Sequence, residues 1–185
     1  MGALVADLAT ARIGDTFNQY RRSRLRRERL EAYLDARRHA SLVLVGEAAG
    51  YRGARISGIP FTSERQLTGR GPAEATATIV QRTLAELGAE EDVLLWNVVP
   101  THPHEPRRPE TNRRPSRAEV EASSRFLEDL ARGRRLVAVG RLAQQATGAP
   151  YVRHPSHGGA AAFRRDLEHL LLRFRAGAQG CAAFP

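Results

Sequence analysis

Short apolar runs alternate with amphipathic segments along this chain, and that alternation constrains the fold more than any other feature. Residues 42–45 and 92–99 have the composition of strands that are buried on both faces of a sheet. Shorter apolar runs at residues 136–139 and 151–153 predict two further strands. Because strands that alternate with helices build parallel βαβ units, we predict an α/β fold. Its expected architecture is a three-layer α/β/α sandwich with a central, mainly parallel, four-stranded sheet.

The segments between these strands have apolar residues at helical spacing, and several have recognisable ends. Ser116 followed by Glu119 matches a capping box, and Gly88 is suited to end a helix. Residues 47–63 are predicted to form a Gly-rich loop, and residues 100–115 a loop rich in Pro, His and Arg. The predicted helices cover residues 16–38, 72–87, 116–132, 141–147 and 159–175.

The length of 185 residues suits a single domain with a full hydrophobic core. We predict one domain over residues 1–185, with a basic helical region at residues 1–40 and a flexible tail at residues 177–185. Cys181 is the only cysteine, so one chain cannot supply a disulfide, a Cys-rich zinc site or the four thiolates of an iron–sulfur cluster. No apolar stretch approaches the roughly 20 residues needed to span a membrane. We expect a cytoplasmic protein without metal or cofactor.

The formal charge of +9 favours a polyanionic partner, above all nucleic acid, or else an acidic membrane surface. All 29 basic residues are arginine, so compositional bias of the source and an ordinary solvated face are alternative explanations. The helix predicted at residues 16–38 carries many of these arginines. It either follows a phosphate backbone or is a surface helix stabilised by Arg/Glu pairs.

Polar residues follow two of the predicted strands at the point where each strand ends. Glu47 lies in the segment directly after the first strand, and His154 comes directly after the last. Open parallel sheets bind ligands outside the carboxyl ends of their strands, so a carboxylate and an imidazole are expected to share one crevice. The chain has no lysine and no Gly-x-Gly-x-x-Gly pattern, which disfavours nucleoside triphosphate and dinucleotide sites.

Four segments, taken in order, resemble the motifs of the uracil-DNA glycosylase superfamily. They are Gly-Glu-Ala-Ala-Gly at 46–50, Gly-Ile-Pro-Phe at 58–61, Trp-Asn-Val-Val at 96–99 with Asn-Arg-Arg-Pro at 112–115, and His-Pro-Ser at 154–156. The resemblance spans about residues 41–175 and is greatest to bacterial branches with a Gly-Glu-Ala-x-Gly first motif, although this chain lacks iron–sulfur cysteines. Ala49 replaces the usual Pro, and Ala48 stands where some branches have a catalytic Asp.

The resemblance implies cleavage of an N-glycosidic bond, which leaves an oxocarbenium-like sugar and an anionic base. Glu47 would orient the attacking water or offset positive charge on the sugar, unless it is a loop carboxylate paired with Arg52 or Arg55. His154 would donate a hydrogen bond to O2 of the departing base, and a purely structural histidine is the alternative. The implied catalytic residues are therefore Glu47 and His154.

The resemblance also implies a pocket for the flipped base, with Gly46 and Ala48 in its wall. The amide of Asn97 can donate and accept at once, which matches O4 and N3–H of uracil, whereas cytosine presents the reverse polarity. Phe61 would stack on the base, and Tyr51 would reject thymine by blocking its C5 methyl group. The alternatives are an Asn97 that only ties down a loop and a Phe61 that only packs in the core.

Contacts with the DNA backbone are expected around this pocket. Ser156 and the backbone amides of residues 157–159 would bind a flanking phosphate at the start of the last helix, and His157 would fill the space left by the flipped base. His102 and His104 are not expected to bind a metal, because nearby arginines disfavour a dication; their loop is better suited to phosphate contact. The predicted DNA-binding residues are Arg52, Arg55, Arg113, Ser156, His157 and Gly158.

The predicted activity is that of a monofunctional uracil-DNA glycosylase that leaves an abasic site, because no lysine is present to form a Schiff base with the sugar. Its expected substrate is single- or double-stranded DNA, and its expected state is a monomer associated with a bacterial nucleoid. The alternatives are a glycosylase for hypoxanthine, xanthine or a mismatched pyrimidine, and a DNA-binding protein that has lost catalysis. A small-molecule α/β enzyme whose basic charge is only compositional is least favoured.

Overall fold

A four-stranded sheet forms the middle of the structure, a computed structural model that describes residues 1–180. The strands are β1 (Leu42–Ala48), β2 (Val93–Val99), β3 (Arg135–Val139) and β4 (Tyr151–Val152), in the order β2-β1-β3-β4. Every neighbouring pair is parallel, which confirms the predicted α/β fold. The chain passes from β1 to β2 on one side and then to β3 and β4 on the other. The direction of winding therefore reverses beside β1, where α/β sheets form their ligand crevice.

Helices connect the strands and flank the sheet. Residues 1–180 form α1 (Gly2–Thr10), α2 (Arg24–Ala36), α3 (Ala54–Ser57), α4 (Glu64–Thr68), α5 (Ala75–Glu86), α6 (Arg117–Ala131), α7 (Arg141–Thr147) and α8 (Ala160–Gly180). Among these residues, no helix is both long enough and apolar enough to cross a membrane.

The two faces of the sheet are covered by different helices, which gives the predicted three layers. Val43 and Val45 of β1 point into a cluster that includes buried residues of α1, α2, α6 and α7. Leu42 and Leu44 point the other way, into a cluster with α5 and α8. Because successive strand residues alternate between faces, a continuous apolar run such as β1 requires a helix layer on each side.

The helix predicted over residues 16–38 is wrong in its first part. Phe17 instead exchanges backbone hydrogen bonds with His102 in an antiparallel bridge, and α2 begins only at Arg24. Ser23 caps this start, because its side chain accepts a hydrogen bond from the amide of Arg26. The bridge joins residues far apart in sequence, so the local helical period did not reveal it.

Other boundaries differ by a few residues. The predicted loop at residues 47–63 contains the short helix α3, and helix α4, which was not predicted, follows that loop. Helix α1 lies within the helical region predicted for residues 1–40. The last helix continues to Gly180, so residues 177–180 of the predicted tail are helical. The rest of that tail, residues 181–185 with Cys181, lies outside the described residues. The capping box of Ser116 and Glu119 is confirmed.

An almost buried ion pair fixes the loop at residues 100–115 to the start of α6. The two terminal nitrogens of Arg113 donate to the two carboxylate oxygens of Glu119 at 2.8 and 2.6 Å. Glu119 is 2% exposed, and its carboxylate also accepts a hydrogen bond from the amide of Ser116 at 2.8 Å. The bond from Arg113 is the main reason that the pKa of Glu119 lies below its usual range. The pair therefore stabilises the fold only while Glu119 is ionised.

Replacing Glu119 tests this pair. Glu119→Gln should lower the free energy of unfolding by about 3–5 kcal/mol near neutral pH, because Arg113 loses its counter-charge. The depressed pKa makes the stabilisation complete above the unfolded pKa of about 4.3 and removes it as the pH falls through the lower folded value. Urea unfolding near pH 7 and near pH 3 measures the difference in free energy of unfolding between the parent protein and Glu119→Gln. This difference should be smaller near pH 3. The control, Ser116→Ala, should cost about 1 kcal/mol at both pH values.

Candidate active site

The carboxyl ends of the strands surround a cleft of about 380 Å³. Seven of the site residues predicted from the sequence line it together: Glu47, Ala48, Phe61, Asn97, Arg113, His154 and His157. This volume lies in the range of small-molecule sites, and the position beside β1 is the one that the reversal of strand order favours. The carboxylate and the imidazole expected to share a crevice therefore do so.

Gly46 allows the floor of the cleft to form. The strand register pairs Gly46 with Asn97. A Cβ atom on Gly46 would overlap Cζ of Phe61 and lie 2.7 Å from Oδ1 of Asn97, so the aromatic ring and the amide both press against bare backbone. Phe61 has a positive φ of 50°, which is strained for an aromatic residue. A hydrogen bond from the side chain of Gln81 to its carbonyl oxygen, at 3.2 Å, helps to hold it there.

Asn97 presents its amide to the cleft. The side chain is 4% exposed, yet within the part of the chain that the structure describes it makes no hydrogen bond to another residue. A buried amide without protein partners normally binds water or a ligand. The alternative that Asn97 only ties down a loop therefore has no support in these contacts.

The carboxylate of Glu47 is half-buried at the end of β1. Burial raises its pKa, and the positive charge of Arg114 partly opposes this rise. Within residues 1–180, Glu47 forms no ion pair, so the predicted alternative of a salt bridge to Arg52 or Arg55 is not observed. Its carboxylate is thus available to a substrate or to a water molecule.

The imidazole of His154 is oriented by Ser156. The amide of Ser156 donates to Nδ1 of His154 at 3.2 Å, and the Ser156 hydroxyl lies 2.7 Å from the same nitrogen. Because Nδ1 accepts a hydrogen bond, the proton of the neutral ring must be on Nε2. Burial lowers the pKa of His154, and the positive charges of Arg153 and His157 lower it further. His154 is therefore a neutral imidazole with one N–H to donate.

A family model for the uracil DNA glycosylase superfamily matches residues 33–174. This chain belongs to that superfamily. Its fold is similar to the solved structure of SMUG2 from Pedobacter heparinus, with 12% identity, a TM-score of 0.63 and coverage of 96% of this chain and 98% of that one. UNG from Nitratifractor salsuginis is also similar, with 18% identity, a TM-score of 0.47 and coverage of 76% of each chain. No curated protein matches the sequence.

Several contacts predicted from the superfamily motifs differ in the structure. The guanidinium of Arg113 is committed to Glu119 and to the carbonyl oxygen of His104, which leaves it poorly placed to bind phosphate. Tyr51 is not among the residues that line the cleft, so the exclusion of thymine predicted for it has no support in this geometry. The Ser156 hydroxyl lies between His154 and His157, at 2.7 and 3.0 Å from their Nδ1 atoms, and serves the imidazole instead of a phosphate.

The other predicted DNA contacts differ in their exposure. Arg52 is exposed and lies over the ring of Tyr51, with 5.2 Å between its Cζ and the ring centroid. Arg55 is half-buried. His157 is exposed, has a φ of 51° and lines the cleft. The amides of His157 and Gly158 donate to no acceptor in residues 1–180, which suits the predicted phosphate contact just before α8.

Two positioning contacts were not predicted. The buried ring of His102 lies 2.8 Å from the carbonyl oxygen of Ala49 and 3.1 Å from that of Pro109, so it joins the first motif to the loop at residues 100–115. The side chain of Asn112 accepts a hydrogen bond from the amide of Tyr51 at 3.0 Å. The motif that contains Asn112 was a signal for this second contact. For the contacts of His102, the sequence contained no signal other than the position of this residue after β2.

A second carboxylate, that of Glu74, also lines the cleft and was missed. Cβ atoms on Gly50 and Gly53 would overlap its oxygens, so these glycines leave the space that the carboxylate fills. Burial raises the pKa of Glu74, and within the described chain the carboxylate has neither an ion pair nor a hydrogen bond. No motif marks this residue, because its place depends on two glycines more than twenty positions earlier.

Glu74→Gln should stabilise the protein near neutral pH. An acid whose folded pKa is raised destabilises the fold once the pH exceeds that value and has no effect below the unfolded value of about 4.3. Thermal unfolding should therefore give the variant a higher Tm than the parent protein near pH 7, and an equal Tm near pH 3.5. Glu90→Gln, a change at an exposed position, is the control and should leave Tm unchanged. A lower Tm for Glu74→Gln near pH 7 would mean that the carboxylate has a stabilising partner.

Proposed function

We propose that this protein is a monofunctional uracil-DNA glycosylase, which flips uracil out of DNA and hydrolyses its N-glycosidic bond. Membership of the superfamily supports a DNA glycosylase. The observation that carries the finer proposal is the convergence of Glu47, Phe61, Asn97 and His154 on a single cleft of about 380 Å³. A pure DNA-binding protein would have no need for a carboxylate, an amide and a neutral imidazole around one pocket.

Recognition of uracil is assigned to Asn97 and Phe61. The free amide donates to O4 and accepts from N3–H, and the ring of Phe61 stacks on the base. Both side chains are held against Gly46, so little conformational entropy is lost when the base binds. Cytosine presents a donor where uracil has O4, so it would leave buried groups unpaired.

His154 stabilises the departing base. As the glycosidic bond breaks, its electron pair leaves with the base and negative charge collects on O2. The Nε2–H group of a neutral imidazole donates to that oxygen, and the bond strengthens as the charge grows. Ser156 keeps the tautomer that makes this possible, since it occupies Nδ1.

Glu47 acts on the sugar side of the reaction. Its carboxylate offsets the positive charge of the oxocarbenium-like sugar and accepts a proton from the water that adds to C1′. Partial burial strengthens both effects, because the local dielectric is lower than that of water. Its raised pKa also makes it a better base than an exposed glutamate. The anionic base takes up a proton from solvent, and Glu47 returns its own proton to solvent, so the products are the free base and an abasic site.

One observation favours a second group of substrates. Glu74 adds a carboxylate acceptor to the cleft, and hypoxanthine and xanthine both have an N1–H group that such an acceptor would match. Oligonucleotides with each of these bases therefore belong in the same assay as uracil. The proposal further includes a single-domain monomer in the cytoplasm that acts on single- or double-stranded DNA.

Replacing Glu47 and His154 separately tests the chemistry. Glu47→Gln should lower the single-turnover rate of uracil release by about 10²–10⁴-fold, and His154→Ala by about 10²–10³-fold. Affinity for DNA should change far less, because both groups act mainly in the transition state. The measurement is alkaline cleavage of uracil-containing oligonucleotides, with circular dichroism as the check on folding. Intact strands at high concentrations of the parent protein would exclude the proposed activity.

The rate of uracil release should rise with pH along one acidic limb. Glu47 must be ionised, and its raised pKa places that limb above the usual range near 4.3. The lowered pKa of His154 moves the titration of the imidazole below its usual range, so no separate rise is expected around pH 6.5. Single-turnover rates between about pH 4 and pH 9 measure this profile. The residual rate of Glu47→Gln should not depend on pH in this acidic range. If the acidic limb persists in that variant, the limb belongs to the titration of another group.

A further inference from the structure

A groove of about 420 Å³ lies beside the cleft, on the layer formed by α1 and α2. It is built by the loop between these helices and the first turn of α2, and we call it the arginine groove. Arg12, Arg21, Arg22 and Arg26 line it, and no acidic residue does. Within residues 1–180, none of these four side chains forms an ion pair. Arg12 and Arg22 also make no hydrogen bond there, so their guanidinium groups are free.

Positive charge is concentrated where the groove meets the cleft. Burial, and next the charge of Arg55, lowers the pKa of the Arg26 guanidinium. Glu64 is the carboxylate that opposes this effect, but it already forms a two-point ion pair with Arg29 at 2.8 and 3.0 Å. An anion bound between these arginines would relieve their mutual repulsion.

One antiparallel bridge connects the arginine groove to the wall of the cleft. The backbone of Phe17 exchanges hydrogen bonds of 2.8 and 3.0 Å with His102, whose ring contacts the carbonyl oxygen of Ala49 in that wall. The ring of Phe17 is 40% exposed, and the Cζ atom of Arg55 lies 5.5 Å from its centroid. An exposed aromatic ring beside arginines is the arrangement that binds single-stranded nucleic acid.

We propose that the arginine groove binds the phosphate backbone of the DNA strand on one side of the extruded nucleotide, with the ring of Phe17 stacked on a neighbouring base. The assignment rests on the proposed function, because it takes the strand that enters the cleft to be DNA. It explains why the loop keeps arginines that form no ion pair within residues 1–180, even though Asp15 lies on the same loop. It also gives the exposed Phe17 a role that core packing does not.

Binding to DNA without uracil tests the groove independently of catalysis. A fluorescein-labelled single strand of 15 nucleotides is titrated, and anisotropy is followed at several salt concentrations. Arg12→Ala with Arg22→Ala should weaken binding about tenfold or more at low salt. It should also reduce the slope of log K against log salt by about 1.4, which is 0.7 for each lost phosphate contact on a single strand.

A matched double variant controls for net charge. Arg38→Ala with Arg173→Ala removes two exposed arginines near the opposite edge of the sheet, where β1 and β3 begin. It should change affinity less than twofold. Equal losses in both double variants, or no loss in the groove variant, would overturn the proposal. A groove variant that keeps its affinity for DNA and loses affinity for poly-glutamate would overturn it in favour of an acidic protein partner.

Phe17 provides the second readout. Phe17→Leu should weaken binding roughly five- to tenfold through the loss of stacking, whereas Phe17→Tyr should restore it. Equal affinity of the leucine variant and the parent protein would remove the stacking contact from the proposal. If the parent protein releases no uracil while these variants still lose DNA affinity, the proposed function fails and the groove stands. If the parent protein releases uracil and the groove variants keep their DNA affinity, the groove fails and the proposed function stands.

Discussion

The register of β1 against β2 is the constraint on which the candidate site depends. It sets Gly46 opposite Asn97, and the missing side chain of Gly46 lets both the amide of Asn97 and the ring of Phe61 meet the same backbone. A slip of one residue would turn Asn97 to the other face of the sheet and bury it among α1, α2, α6 and α7. Such a slip would also move the fully buried Trp96 from the side of α1, α2, α6 and α7 to the side of α5 and α8, and close packing on both faces of the sheet opposes that exchange. Core packing thus determines where the polar groups of the cleft lie.

Burial in this cleft acts in opposite directions on the two groups assigned to catalysis. It raises the pKa of Glu47 and lowers that of His154, because it disfavours the charged form of each. Burial thus disfavours an ion pair between the two groups, in which both would be charged, and no such pair is present within residues 1–180. A neutral donor on one side and a partly desolvated carboxylate on the other can separate the charges of a glycosidic bond. Burial is thus the common cause of the two pKa shifts on which the proposed chemistry depends.

The sequence predicted the elements whose signals are local. The four strands, the capping box at Ser116 and the helix that follows it depend on neighbouring residues, and all are observed. Glu47, Asn97 and His154 were predicted for one site because they lie near strand ends, and Phe61 because it belongs to the motif at residues 58–61. Contacts between distant segments were missed. Residues 16–23 are not helical because Phe17 pairs with the distant His102. The position of Glu74 depends on the space left by two distant glycines. Neither contact produces a periodic pattern in the local sequence.

The arginines illustrate the same limit, since 29 identical side chains have different roles that composition cannot separate. Arg113 was predicted to bind DNA, yet it holds a loop against Glu119. Arg134 donates to the main-chain carbonyl oxygens of Arg38, Ala40 and Leu130 near the amino ends of the strands. These guanidinium groups already have their acceptors within the protein, so a phosphate would have to displace existing bonds. Only arginines without such bonds can offer all of their N–H donors to DNA. The hydrogen bonds that each arginine makes within the protein, and not the net charge, therefore indicate which arginines can form a DNA interface.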